Sequence, residues 1–162
     1  MTRRDKINYY LDIAESVLER GTCLRRNFGA ILVKDDEIIS TGYTGAPRGR
    51  ANCSDLGYCT RERLNVPKGH RYELCRSVHA EANAIISAPR SKMLGATLYL
   101  ACHDAKTKEL FGDVEPCLMC KRLIINAGIR TVIIRTTPTD YKTITVSTWI
   151  ENDESLDPGD GY

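Results

Sequence analysis

The sequence lacks any apolar run of the about 20 residues that a membrane-crossing helix needs. We also expect no secretory leader, because the charged first six residues, Met1–Lys6, lead directly into an amphipathic pattern. We therefore expect a cytoplasmic protein with no membrane partner. The length of 162 residues, with 42% hydrophobic and 27% charged residues, is typical of one globular domain.

A strong charge of one sign is absent too. Lys and Arg number 23 against 21 Asp and Glu, a formal net charge of +2. This balance is too even to make a nucleic acid the expected partner, although small anionic ligands remain open. An even cysteine count is also missing, since the chain has seven cysteines. In a cytoplasmic chain, an odd count argues against a disulfide framework and favours metal ligation.

Hydrophobic periodicity predicts alternating helices and strands, and therefore an α/β sandwich with a mixed sheet. The predicted helices cover about 7–18, 79–88 and 116–127, and the predicted strands cover 29–33, 38–41, 96–101 and 131–134. Residues 42–76 are rich in glycine and proline and predict a long loop, which in a compact domain is usually functional. We assign 1–150 to a single domain. Residues 151–162 contain five acids and no base, which predicts a mobile tail.

Two short motifs carry the chemistry. His79-Ala80-Glu81 stands at one predicted helix start and Pro116-Cys117-Leu118-Met119-Cys120 at another. Two cysteines three residues apart share a helix face, and a histidine completes a set of three ligands for zinc. Three protein ligands with an open fourth position are typical of a catalytic zinc, whereas structural zinc is normally closed by four.

The acidic residue of the first motif has a catalytic interpretation. Zinc acidifies bound water to a pKa near 7, and a nearby carboxylate must then move the proton. Glu81 is two residues from His79 and can reach the same place. Each residue alone could equally be a buried histidine, a helix-cap acid or a core cysteine. The two motifs together, in this order, favour the metal.

The paired motifs H-x-E and P-C-x-x-C are the signature of the zinc nucleobase deaminases. The wider chain resembles the deoxycytidylate (dCMP) deaminase family from about residue 7 to residue 135. The resemblance rests on Gly42-Tyr43-Thr44-Gly45-Ala46-Pro47-Arg48-Gly49, on Val78 to Ile85 and on Pro116 to Ile129. It implies a three-layer α/β/α cytidine deaminase-like fold. It also implies hydrolysis of dCMP to dUMP and ammonia, and a hexamer that dCTP activates and dTTP inhibits.

The resemblance also assigns individual residues. His79, Cys117 and Cys120 would bind zinc, Glu81 would shuttle protons, and the Ala80 backbone would lie against the pyrimidine. Arg25 matches a basic position near the ligand, although it could equally be a solvated arginine beside Arg26. Tyr141 could flank the substrate or be a plain surface aromatic. Two positions depart from the family, which usually has Asn at Thr44 and Val at Phe28.

Four further cysteines would form a second zinc site in this branch of the family: Cys23, Cys53, Cys59 and Cys75, with Cys102 left over. A closed thiolate zinc would order a loop that has few apolar side chains. His70 could replace one ligand, and scattered reduced cysteines are the alternative. Arg48 and Arg50 in the glycine-rich loop suit phosphates, so a nucleotide effector with Mg²⁺ is a further expectation.

Two functions from other classes remain open at this point. A tRNA-adenosine deaminase shares the zinc signature, but it acts on a base flipped out of a polymer, against which the even charge balance counts. A zinc-stabilised, non-catalytic protein of the competence-related type is the other alternative. Glu81 counts against it, because a purely structural zinc does not need a proton carrier.

Overall fold

The computed structural model describes residues 2–156. Its helices and strands follow one another as α1 (Lys6–Leu18), β1 (Arg26–Lys34), β2 (Glu37–Tyr43), α2 (Cys53–Leu56), α3 (Thr60–Arg63), α4 (Ala80–Ile86), α5 (Arg90–Met93), β3 (Thr97–Asp104), α6 (Leu118–Ala127), β4 (Thr131–Arg135), β5 (Tyr141–Thr145) and α7 (Ser147–Glu151). Two short 3₁₀ helices cover Tyr72–Leu74 and Asp153–Leu156. No helix within 2–156 has the length and apolar character to cross a membrane.

The five strands form one sheet in the order β2-β1-β3-β4-β5. The β1–β2, β1–β3 and β4–β5 pairs are antiparallel, whereas β3 and β4 run parallel. A parallel pair needs a crossover connection, and α6 supplies it between β3 and β4. The mixed sheet predicted from the sequence is confirmed.

Alternating side chains divide the central strands between two cores. Ile31, Tyr99 and Ile133 face α1 and pack with Tyr10 and Leu11. The intervening residues of the same strands face the other way and pack with α4 and α6; they include Leu32, Leu98, Leu100, Val132 and Ile134. Because helices cover both faces, the molecule is a three-layer α/β/α sandwich, as predicted.

Two glycines allow these helices to lie close to the sheet. A Cβ added at Gly29 would lie 2.1 Å from the Ala14 carbonyl oxygen in α1. One added at Gly42 would lie 2.3 Å from the Ala80 carbonyl oxygen in α4. Both distances are impossible for a real side chain, so each helix depends on the missing Cβ for its position.

On the α1 face, Arg135 at the end of β4 buries its guanidinium and is 2% exposed. Its Nη1 donates to Asp12 at 2.9 Å and to Glu15 at 3.3 Å, and its Nη2 donates to the backbone and side-chain oxygens of Asn8. Two carboxylates of α1 therefore balance this buried charge.

The structure differs from the sequence-based prediction in three places. Helix α5 follows directly after Pro89 and was not predicted, because its four residues are too few to show a helical period. The predicted loop at 42–76 contains α2, α3 and the first 3₁₀ helix, each too short to show a helical period. β5 and α7 were not predicted, because β5 is a polar edge strand with no buried residue. Of the predicted tail, 151–156 are largely helical and contact α6 and α7, and 157–162 lie outside the described residues.

Candidate active site

The start of α4 is fixed to the end of β2 by four hydrogen bonds. Gly45 and Val78 exchange both backbone bonds, at 3.2 and 2.7 Å. Ser40 Oγ donates to the Ala84 carbonyl at 2.7 Å, and Asn83 Nδ2 donates to the Tyr43 carbonyl at 2.8 Å. His79 is consequently held as the N-cap residue of α4, with Glu81 in its first turn.

The second motif starts α6 in the same way. Cys117 is the N-cap residue, and Cys120 lies one turn further, buried against the core. The two helices pack against each other, and the motif residues at their N-termini come together. The positive end of a helix dipole lowers the pKa of a thiol, and this environment favours the thiolate form that binds metals.

The ligand atoms of the two motifs meet. His79 Nδ1 lies 3.5 Å from the Sγ atoms of both Cys117 and Cys120, and all three atoms lie within 4.8 Å of one another. A tetrahedral zinc, with bonds of about 2.3 Å to sulfur and about 2.0 Å to nitrogen, spaces its ligands by about 3.5 Å. The donor set and its spacing therefore fit zinc.

The electrostatics of this cluster fit its chemistry. Glu81 is 4% exposed, and burial raises the pKa of its carboxyl above the ordinary value, against the opposing charge of His79. A hydrogen bond with Cys120 lowers the pKa of the Cys117 thiol to about 4, against burial and with help from His79. The cluster of His79, Glu81, Cys117 and Cys120 thus combines a metal-binding thiolate with a carboxyl that can hold a proton.

A cavity of about 250 Å³ opens onto His79, Glu81 and Cys117. Its other walls come from the start of β1, from the segment between β2 and α4, and from residues before α6. They are Cys23, Arg25, Arg26, Phe28, Thr44, Cys59, Arg61, Lys68, Gly69, Tyr72, Cys75, Asp113, Val114 and Glu115. Four cations, Arg25, Arg26, Arg61 and Lys68, therefore line the same cavity as the ligand cluster, together with the acids Asp113 and Glu115.

Several residues selected from the sequence line this cavity. Thr44 is buried, and its Oγ1 accepts a hydrogen bond from the Phe28 backbone at 3.1 Å. Arg25 pairs with Glu62 at 3.2 Å. Ala80 is fully buried and does not line the cavity. Tyr141 lies on the edge strand β5, 38% exposed and outside the cavity wall, which favours the alternative of a surface aromatic.

The four cysteines of the predicted second site are less closely gathered. Cys23, Cys59 and Cys75 line the cavity, while Cys53 lies beside it with its Sγ 3.8 Å from Ser77 Oγ. Within residues 2–156, no three of these sulfurs lie within 4.8 Å of one another, and His70 joins no such group. Burial alone raises the pKa of Cys75, but its hydrogen bond with His79 brings the pKa below the ordinary value.

Two wall residues were not identified from the sequence. Arg61 of α3 is 5% exposed, and Tyr72 stands between it and the ligand cluster. The Arg61 guanidinium lies 4.3 Å over the Tyr72 ring, whose centroid is 5.3 Å from that of His79 in an edge-on arrangement. No local pattern marks them, because Arg61 stands in a charged run, Thr60-Arg61-Glu62-Arg63, that is typical of a solvated turn.

Comparisons with known proteins agree with this geometry. A family model, the cytidine and deoxycytidylate deaminase zinc-binding region, matches residues 4–136. Deoxycytidylate deaminase of Mycobacterium phage D29 is 40% identical over 139 residues, covering 82% of this chain and 96% of that protein. Deoxycytidylate deaminase of Schizosaccharomyces pombe is 33% identical over 80% of this chain, which spans only 36% of the yeast protein.

A solved structure shows the same fold. The crystal structure of dCMP deaminase from the cyanophage S-TIM5 in apo form matches with a TM-score of 0.56 and 25% identity, covering 83% of this chain and 85% of that one. The family match, the phage relative and the converging His79, Cys117 and Cys120 agree. The chain belongs to the cytidine and deoxycytidylate deaminase family and is a zinc-binding deaminase.

Proposed function

We propose that this enzyme hydrolyses dCMP to dUMP and ammonia. The observation that carries the proposal is the convergence of three zinc ligands and one buried carboxyl, Glu81, on a single cavity. The names of the phage D29 and cyanophage S-TIM5 proteins support dCMP as the substrate. Phe28 and Val114 supply apolar surface in that cavity for the pyrimidine ring.

His79, Cys117 and Cys120 would hold the zinc ion, which supplies water acidified enough to react at neutral pH. Glu81 would take one proton from the attacking water and deliver it to N3 of the cytosine, while the water oxygen forms a bond to C4. The same carboxyl would carry the remaining proton of that water to the amino nitrogen. The C4–N bond would then break, so that ammonia leaves and uracil, with the water oxygen on C4, remains.

Glu81→Gln tests the role of the carboxyl. The amide keeps the shape but cannot accept the proton, so we expect turnover to fall by about 10²–10⁴-fold or more while zinc stays bound. Ammonia release and zinc content are measured together. Glu37→Gln, in an exposed side chain at the start of β2, is the matched control and should behave as wild type.

The substrate is tested on the wild-type enzyme with dCMP, dCTP, deoxycytidine and a tRNA anticodon stem-loop. Turnover of dCMP ahead of the other three is expected. Turnover of the RNA alone would instead identify a nucleic-acid deaminase. Glu81→Gln activity within tenfold of wild type would overturn the mechanism.

The proposal includes a second, structural zinc on Cys23, Cys53, Cys59 and Cys75. Three of these thiols share one cavity wall with the segment between β2 and α4, whose short helices have little apolar packing of their own. Zinc binding would draw the sulfurs together and stabilise that segment. We expect two zinc ions per chain in reduced protein and one in Cys53→Ser; one in the wild type would contradict this.

Regulation completes the proposal: a homohexamer that dCTP, with Mg²⁺, activates and dTTP inhibits. An effector must bind one conformational state better than another, so the rate should rise sigmoidally with dCMP and become hyperbolic with dCTP. The exposed Arg48 and Arg50 suit a triphosphate. Steady-state rates and sedimentation measure both parts. Hyperbolic rates indifferent to either triphosphate would remove the regulation, and a monomer would remove the hexamer.

A further inference from the structure

Arg61 is a buried cation that forms no ion pair with a carboxylate within residues 2–156. Its side chain is almost fully buried in the wall of the active-site cavity. Both Nε and Nη2 donate to one acceptor, the His70 carbonyl, at 3.0 and 2.7 Å. Nη1 has no hydrogen-bond partner within residues 2–156, and no carboxylate there lies within 4.0 Å of the guanidinium.

Burying a guanidinium without a paired anion is costly in free energy. Removing a charge from water carries a penalty of several kcal/mol, which a paired anion normally offsets. A neutral carbonyl and the face of Tyr72 offset only part of it. An anion that enters the cavity would complete the site, and the planar guanidinium with a free Nη1 edge suits the oxygens of a phosphate.

The other cations of the cavity are already engaged or lie in solvent. Arg25 is paired with Glu62, and Arg26 stacks over Phe111 at 3.7 Å. Lys68 is exposed. Among the described Lys and Arg side chains that line the cavity, Arg61 alone is buried without an ion pair or an exposed head group.

Arg61 lies at a distance from the ligand cluster that suits a substrate phosphate. One aromatic ring, Tyr72, separates its guanidinium from the zinc ligand His79. In a mononucleotide the sugar likewise separates the reacting base from the phosphate. A nucleotide whose base is bound at the ligand cluster would thus direct its 5′-phosphate toward Arg61.

We propose that Arg61 binds the 5′-phosphate of the substrate and makes this enzyme select a nucleoside monophosphate over the free nucleoside. The inference rests on the proposed function, because it assumes that a cytosine nucleotide occupies the cavity. Arg61 also holds the loop through the His70 carbonyl, but this contact needs no charge and leaves the free edge of the guanidinium unexplained.

The test compares kcat/KM for dCMP and for deoxycytidine in wild type, Arg61→Gln and Arg61→Lys. Hydrogen bonds to charged groups are worth about 1.5–3 kcal/mol, so Arg61→Gln should lower kcat/KM for dCMP about 10–100-fold and leave that for deoxycytidine nearly unchanged. Arg61→Lys keeps the positive charge but lacks the paired, planar N–H donors of the guanidinium, so it should recover part of the loss. Arg63→Gln is the matched control, since Arg63 belongs to the same helix and stacks on Tyr58 outside the cavity.

A second measurement needs no variant. Inorganic phosphate should compete with dCMP in the wild-type enzyme, and this competition should weaken in Arg61→Gln. Equal losses for dCMP and deoxycytidine in Arg61→Gln would reduce Arg61 to a structural contact and overturn the inference. Equal wild-type kcat/KM values for both substrates would overturn it too. A wild-type enzyme that deaminates neither would instead show that the proposed function has failed.

Discussion

Two regions of the molecule each bury a guanidinium, and only one of them supplies the matching carboxylates. In the α1 corner, formed by α1 and the end of β4, Asp12 and Glu15 balance Arg135. In the catalytic corner, formed by the N-termini of α4 and α6 and the segment before them, Arg61 faces a cavity and has no carboxylate partner in the part of the chain that the structure describes. The fold itself pairs the first guanidinium with two carboxylates, although its buried Nε has no hydrogen-bond partner among the described residues, whereas the second guanidinium is left open to a ligand.

The same contrast extends to the buried acid. Glu81 lies within the catalytic corner without an ion pair to a described Lys, Arg or His side chain, and burial raises its pKa. The acids of the α1 corner are partly exposed and paired. Buried charges that the fold balances contribute to stability, and those that it leaves unbalanced beside a cavity are available for chemistry and binding. Substitutions in the two corners should therefore affect different measurements.

The largest expected effect is that of Cys120→Ala in the catalytic corner. It removes one of three ligands of the catalytic zinc, so one zinc ion per chain should be lost and dCMP turnover should fall to background. Zinc analysis and ammonia release measure this directly. The control is Cys102→Ala, because Cys102 is as deeply buried as Cys120 but belongs to neither ligand set. It should cost about 1 kcal/mol of stability and keep zinc and turnover. Equal zinc content in the two variants would contradict the assignment.

Alanine substitutions at the two close-contact glycines, Gly42 and Gly29, should have similar effects on stability but different effects on kcat. Gly42→Ala and Gly29→Ala each place a Cβ against helix backbone, so each should lower the free energy of unfolding by about 3 kcal/mol. Gly42→Ala displaces α4 and should also lower kcat of the folded enzyme. Gly29→Ala displaces α1 and should leave kcat unchanged. Urea unfolding and kcat at low temperature test both, and equal kcat losses would remove the distinction.

Arg135→Met tests the balanced guanidinium. The change removes hydrogen bonds to Asp12, Glu15 and Asn8, and we expect a loss of about 2 kcal/mol in the free energy of unfolding. The ratio of kcat/KM for dCMP to that for deoxycytidine should not move. A changed ratio would show that the α1 corner influences substrate selection after all.

The smallest effect is a pH dependence in the α1 corner. The hydrogen bond from Arg4, with help from Arg135 and against burial, holds the pKa of Asp12 below its ordinary value near 3.8. Its stabilisation is therefore complete above the unfolded pKa and is lost as the pH falls through the lower folded value. Because Asp12 is nearly half exposed, the effect should be less than about 1 kcal/mol. Urea unfolding of wild type and Asp12→Asn at pH 7 and pH 3 measures it, and equal pH dependence would contradict it.

Much of the fold and of the metal centre followed from local patterns. Cys117 and Cys120 share a helix face because of their spacing, and His79 and Glu81 are close because a helix starts between them. The β1–β2 hairpin, β3, β4 and the long helices follow from hydrophobic runs of sufficient length. β5 lacked such a run, and its Tyr141 was therefore placed near the substrate only by resemblance.

The sequence by itself determined which ligands of the zinc site lie within one helical turn of each other. That closeness depends only on hydrogen bonds within one helix. Only the tertiary structure decided which charges are buried. Arg61 and Arg63 stand in the same short helix, yet Arg61 is sealed into the cavity wall while Arg63 is exposed. Burial depends on contacts between segments far apart in the chain, here α3 against Tyr72 and the His70 carbonyl, and no local pattern contains that information.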